Sequence, residues 1–176
     1  DDKDVYYMDQ RDAEDLSDER DILVELHAML GEADILVTHN GKRFDMKKLN
    51  ARFLHFNLPP IGKKVHIDTL QLAKKHFAFT SNRLEYLTKK FNVKTSKLSH
   101  KKFPGFALWR ECLKNNIKAW NEMRDYNIMD VVSLEELYRK MLPWDDTVNF
   151  NVFHDRQEWF CSCGNDTFHK RGFYYT

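Results

Sequence analysis

Ile35-Leu36-Val37-Thr38-His39-Asn40-Gly41-Lys42-Arg43-Phe44-Asp45 is the stretch on which the fold turns. Three large aliphatic residues in succession, bounded by polar ones, read as a short buried strand. Thr38-His39-Asn40-Gly41 ends the run and supplies a turn. Near Phe44-Asp45 the pattern changes to a helical period, with Leu49, Phe53 and Leu54 inward and Lys47, Lys48 and Arg52 outward. Leu58-Pro59-Pro60 stops that helix, because proline cannot donate to the ladder. The product is a strand, a turn and a helix, with a carboxylate at the helix start. Backbone N–H groups and the helix dipole favour negative charge there. Asp45 is open to two readings, a simple helix cap or a group that carries chemistry.

The same alternation continues outward. Val65-His66-Ile67 reads as a second short strand, and Asp68-Thr69 opens a helix running through Leu72 towards Phe77, with Asp68 read as its cap. Asn82 and Glu85 have capping-box spacing ahead of Leu84, Leu87 and Phe91. Residues 94–102 form a basic loop. Leu108, Trp109, Cys112 and Leu113 mark a further helix, and a long one is expected over 117–142, ended by Pro143. Upstream, Val5-Tyr6-Tyr7-Met8 reads as a strand, and a helix over 18–31 follows a Ser17 or Asp18 cap. Strands alternating with helices predict an α/β layer fold. The pattern breaks at Asp145, which divides the chain into a main domain over 1–144 and a C-terminal extension over 145–176.

Charge is unevenly spread. Residues 1–34 hold thirteen acids against three bases, whereas residues 35–124 hold twenty Lys or Arg against five acids. A basic block of this kind is either a solvated surface or the footprint of a phosphate backbone, whose affinity comes from counterion release. No apolar run approaches the ~20 residues of a membrane helix, and the Asp-rich start is no signal peptide. The expectation is a protein without membrane contact, acting in the cytoplasm (or, if phage-encoded, in the host's).

Of the carboxylates within or just after the block, Asp130 is the second of interest. Tyr126-Asn127-Ile128-Met129-Asp130 sets a phenol and a carboxylate four apart, on one face of the last long helix. Asp130 stands among Met129, Val131 and Val132, where an unpaired charge is costly. A divalent cation would repay that cost, and so would Arg124 or Arg43.

Taken together, Asn-x-x-x-Phe-Asp after a buried strand and Tyr-x-x-x-Asp on a late helix resemble the second and third motifs of the DEDDy-type 3′→5′ exonucleases. These form a proofreading group of the RNase H-like fold. Ile67-Asp68-Thr69-Leu70 and Ser81-Asn82-Arg83-Leu84 resemble the intervening segments of that family, and its phage and bacterial stand-alone members are the most similar. The resemblance covers residues 5–144 and implies a mixed central sheet flanked by helices. It also implies a two-metal mechanism with Mg²⁺ or Mn²⁺, which hard oxygen ligands suit. Asp45 and Asp130 would hold metal, and Tyr126 would orient the attacking water. Asn40 and Phe44 would lie under the terminal nucleotide, with Lys42 and Arg43 on the backbone of a single-stranded DNA or RNA 3′ end. His39 is read as a packing or polar-edge residue near enough to touch substrate.

The family's first motif, Asp-x-Glu on an opening strand, has no match. Asp12-Ala13-Glu14 lies in a polar turn, so the expectation is that the N-terminal strand is missing, or that the domain is a degenerate one that binds without cutting. Cys161-Ser162-Cys163-Gly164 resembles the first half of a zinc ribbon, with Cys161 and Cys163 as Zn²⁺ ligands, although the spacing is Cys-x-Cys and no second pair follows. Cys112, on an apolar helix face, is expected in the core.

Overall fold

A computed structural model describes residues 5–12, 14–15, 17–94, 102–148 and 167. The Lys-rich loop between 95 and 101, Cys161 and Cys163 lie outside them. Six helices and one sheet are found among the described residues: α1 (Arg20–Glu32), β1 (Ile35–Thr38), α2 (Asp45–His55), β2 (Val65–Asp68), α3 (Thr69–His76), α4 (Leu84–Lys90), α5 (Phe106–Leu113) and α6 (Ile117–Met141), with a 3₁₀ turn at Leu142–Trp144. β1 and β2 pair in parallel, Ile35 opposite Val65 and Thr38 opposite Asp68. Parallel pairing requires a crossover, and α2 is that crossover. The sheet described is thus a parallel pair, where the family resemblance implies a larger mixed one.

The N-terminal segment departs from expectation. Val5-Tyr6-Tyr7-Met8 forms no strand. The residues just after it are held by side chains: the Arg11 guanidinium grips both oxygens of Asp9, the Arg11 amide donates to Asp9, and Arg11 Nη1 reaches Asn121 Oδ1 on α6 at 2.7 Å. α1 starts one residue later than an Asp18 cap gives and two later than a Ser17 cap, its cap position being Glu19, while Asp15 and Asp18 accept from the amides of Ser17 and Arg20. Asn82 and Glu85 make no capping box; α4 begins after Arg83 without a side-chain cap.

α6, at twenty-five residues and so ~37 Å long, is the spine. Its C-terminal half carries Leu137 and Met141 into a core with Leu72 and Ala73 of α3 and Leu87 of α4, walled by Phe77, Phe91 and Tyr138. Its N-terminal half sets Ala119 and Met123 against Leu108 and Cys112 of α5, which places Cys112 in the core. Residues 145–148 stay tied to this body: Tyr138 donates to the buried Asp145 at 2.8 Å, and Lys75 pairs with Asp146.

Three helices end alike. Asn57, Asn92 and Asn115 all have left-handed φ, between 50° and 56°, just past α2, α4 and α5. Each donates to the carbonyl three residues back, and the following residue donates five back, as Leu58 does to Phe53 at 2.8 Å. These are Schellman ends with Asn where Gly is commoner.

Candidate active site

The loop from Thr38 to Phe44 leaves the end of β1, and the end of β2 holds it. The Asp68 carboxylate is 3% exposed. It accepts from Leu70 N at 3.1 Å, capping α3, and also from Asn40 N at 2.8 Å and Lys42 N at 3.2 Å. Three backbone amides thus converge on this one carboxylate, which clamps the loop to the start of α3. Asn40 sits in the left-handed region, φ 66°, which its short polar side chain tolerates. Gly41 is buried; a Cβ there would stand 2.5 Å from Thr38 Oγ1 and 2.6 Å from Thr38 Cβ. The loop can therefore fold back on its own strand only with glycine at this place.

Asp45 follows as the first residue of α2, and the residue at the cap is Phe44. Among the described residues the Asp45 carboxylate is exposed and makes no hydrogen bond or ion pair, so the cap reading does not describe it. Phe44 is 51% exposed, with the Lys48 ammonium 4.2 Å from its ring centre. Lys42 and Arg43 are exposed beside it.

On α6 the structure brings Tyr126 and Asp130 together. The phenol hydrogen-bonds Asp130, and burial first, then that bond, push its pKa up to about 12. Tyr126 is consequently a neutral donor at physiological pH. The Asp130 Oδ1 atom is buried and has no hydrogen-bond partner. Neither arginine considered above supplies one: Arg124 turns to Asp125, and Arg43 is exposed. Asp130 also lies within electrostatic reach of His39, at the start of the β1–α2 loop, so α6 and that loop face one another. His39 Nδ1 is 2.9 Å from the Thr69 hydroxyl, which donates to Thr38 O. Burial holds the His39 pKa below its ordinary value, against smaller opposing effects from the Asn82 backbone, Asp68 and Asp130.

A buried carboxylate oxygen without a partner, beside a neutral phenol, is the donor chemistry a hard divalent cation uses. Among the described residues no three His, Cys, Asp or Glu side chains converge. That is compatible with Mg²⁺, which commonly takes one or two carboxylates and completes its shell with water and phosphate. Asp45 opens α2 at the end of the loop and is exposed, whereas Asp130 lies on α6, within electrostatic reach of the start of the loop, and is half-buried. Sequence reading did not foresee the double role of Asp68 or the exposure of Asp45.

Among the described residues no helix is long and apolar enough to cross a membrane. Comparison with known proteins gives four results. A DNA polymerase III PolC-type of Listeria welshimeri serovar 6b is 31% identical over 137 residues, covering 75% of this chain and 9% of that protein. The corresponding polymerase of Ureaplasma parvum serovar 3 is 37% identical over 76 residues, 43% of this chain and 5% of that protein. The chain thus spans less than a tenth of the length of these relatives, and no solved structure matches it. The family model of the RNase H superfamily matches residues 1–142, most of the chain, and the chain belongs to that superfamily.

Proposed function

We propose that this domain hydrolyses phosphodiester bonds from the 3′ end of a single nucleic-acid strand, with Asp45 and Asp130 holding Mg²⁺ or Mn²⁺. The observation that carries it is the buried, unpartnered Asp130 oxygen beside the hydrogen-bonded Tyr126 phenol. Such an oxygen costs stability unless something occupies it, and a nuclease fold supplies the reason to bear that cost. Bound metal would supply an activated water and stabilise charge on the phosphate. The protein's own part is positional. Tyr126, uncharged and fixed one turn before Asp130, orients the attacking water through its hydroxyl. Phe44 offers an exposed ring to the last base, in the manner of single-strand stacking platforms. Lys42 and Arg43 face the backbone phosphates. Zn²⁺ at Cys161 and Cys163 belongs to the same proposal, as does a cytoplasmic setting.

The relatives are DNA polymerases, which supports a DNA end as the substrate. Asp12 and Glu14 are exposed and do not supply the bridging carboxylates of this family. The reading therefore expects slow turnover from residues 1–176 alone, and faster turnover when a strand carrying Asp-x-Glu is joined ahead of them. The test is degradation of a 5′-labelled oligonucleotide with a free or a blocked 3′ end, in Mg²⁺ or Mn²⁺. Asp130→Ala should nearly abolish cleavage, and a blocked end should stop it. An Asp130→Ala protein that cuts as fast as wild type would remove the mechanism.

A second reading, strand binding without cleavage, is favoured by the absence of three converging metal-ligating side chains among the described residues. It expects equal oligonucleotide affinity with and without divalent metal, and no shortened product from either form of the protein.

A further inference from the structure

A groove of about 530 Å³ opens beside the His39–Asn40 turn, on the side where α3 and the 80–84 segment meet. Its volume falls within the ~300–1,000 Å³ typical of sites for small molecules. Leu70 and Leu84 give it apolar walls, and the exposed Lys74 and Arg83 lie along its rim. Among the described residues neither cation has a carboxylate partner. Asn82 also lines it, and the Asn82 side-chain oxygen is buried with no hydrogen-bond partner. The sequence suggests a helix cap for this residue, but the structure gives its side chain no such work.

We infer that this groove holds an unpaired base of the substrate strand next to the reacting phosphate, and that Asn82 accepts a hydrogen bond from that base. The inference rests on the strand-binding part of the function proposed above and adds a recognition element to it. The parts suit a nucleotide and little else. The Leu70 and Leu84 walls accept the faces of a base, two cations on the rim accept the flanking phosphates, and an acceptor without a donor awaits an amino or ring N–H group. Every base except an abasic residue can present such a donor from its pairing edge once the strand is single. A base-paired nucleotide has that edge occupied, so the groove selects unpaired ends. Because the oxygen is sealed from water, the amide must turn outward as the base enters. The base then supplies a donor to an acceptor that has none in the empty groove.

The experiment is fluorescence anisotropy with single-stranded oligonucleotides in chelator at low salt, an abasic residue being scanned through the four positions nearest the 3′ end. Wild-type protein should lose roughly ten-fold in affinity at one position. Asn82→Leu should lose part of that affinity with the intact strand and nothing further with that abasic strand, because the abasic strand has already lost the contact to Asn82 along with those to the walls. Lys74→Glu and Arg83→Glu, at exposed positions that leave the core untouched, should each reduce the log–log salt slope by about 0.7. Strand binding that is insensitive to Asn82, or an Asn82 loss that simply adds to the abasic loss at every position, overturns the groove and leaves the nuclease reading standing. Unchanged salt slopes in both charge reversals overturn it as well. No strand binding by the wild type overturns both.

Discussion

At the residue scale the site depends on carboxylates with different employments. Asp68 is spent on structure, since two amides of the β1–α2 loop and one from the first turn of α3 converge on it. Asp68→Ala leaves those N–H groups short of partners and removes the α3 cap, so it should cost about 3 kcal/mol in urea unfolding. Asp68→Asn, which keeps one acceptor oxygen, should cost less than the alanine; equal losses would show that one oxygen alone holds none of the three amides. Asp130 should behave in the opposite way. Asp130→Asn removes the charge but keeps an acceptor for the Tyr126 phenol, so it should leave stability nearly level while activity falls. Tyr126→Phe keeps the ring and removes only the donor, and should slow cleavage by ~10²-fold or more, with a smaller loss than Asp130→Ala. His39 adds a pH dependence. Burial lowers its pKa in the folded state, so the unfolded chain binds more protons just below the ordinary value of about 6.5. Stability should therefore rise with pH through that window. His66 is shifted the same way, by burial and then by Lys42. Unfolding midpoints at pH 5.5 and 7.5 should differ less in His39→Gln than in the wild type. The Tyr126–Asp130 pair was legible in the sequence because helix periodicity alone puts residues four apart on one face. The state of Asp45 was not, because exposure at a helix start depends on what packs over it.

At the element scale, the parallel pair, its crossover and the long α6 were readable from period and breakers. Ile35-Leu36-Val37 and Val65-His66-Ile67 lie within the two strands, and the run ending at Pro143 is α6. What was not readable is how the helices stop. The three Schellman ends use Asn, which sequence reading treats as one polar loop residue among many. Asn is commoner there than other L-residues because the left-handed region costs them ~1–2 kcal/mol. Asn57→Ala should therefore lower stability by about 1 kcal/mol, whereas Asn57→Gly should be neutral or stabilising. If the glycine protein is the weaker of the two, the Asn side chain has a further task. Val5-Tyr6-Tyr7-Met8 misled for a related reason. Its aliphatic and aromatic residues fit a strand, but the Arg11–Asp9 grip is made by side chains that no periodicity records. Gly41 is the hinge between β1 and the site. Gly41→Ala drives a methyl into Thr38, whose Oγ1 is bound to His66 at 2.8 Å and cannot swing away freely. It should cost about 1–3 kcal/mol and weaken strand binding with it.

At the scale of the whole molecule, the question is how a chain of net charge +1 attracts a polyanion. The division of charge along the sequence answers it only if it survives folding as a division in space. In part it does. Lys42, Arg43, Lys47 and Lys48 are exposed around the start of α2, and Lys74, Arg83, Lys89 and Lys90 are exposed on α3 and α4. Several acids of the first third are engaged locally: Asp9 with Arg11, Asp15 with Ser17, and Glu19 with Arg52. Screening at physiological salt extends about 8 Å. A bound phosphate therefore feels the lysines beside it rather than the net charge of the chain. Oligonucleotide affinity should fall linearly on a log–log salt plot, with about −0.7 for each phosphate neutralised on a single strand. Reversing Lys42, Arg43 and Lys47 together removes up to three such contacts, so the slope should become shallower by about 2. Lys63→Glu, between α2 and β2, and Lys118→Glu, on α6, serve as controls for net charge and should leave the slope nearly unchanged. Equal changes in both sets would mean that the strand responds to the molecule's total charge, and that the α2 face is not where it lies.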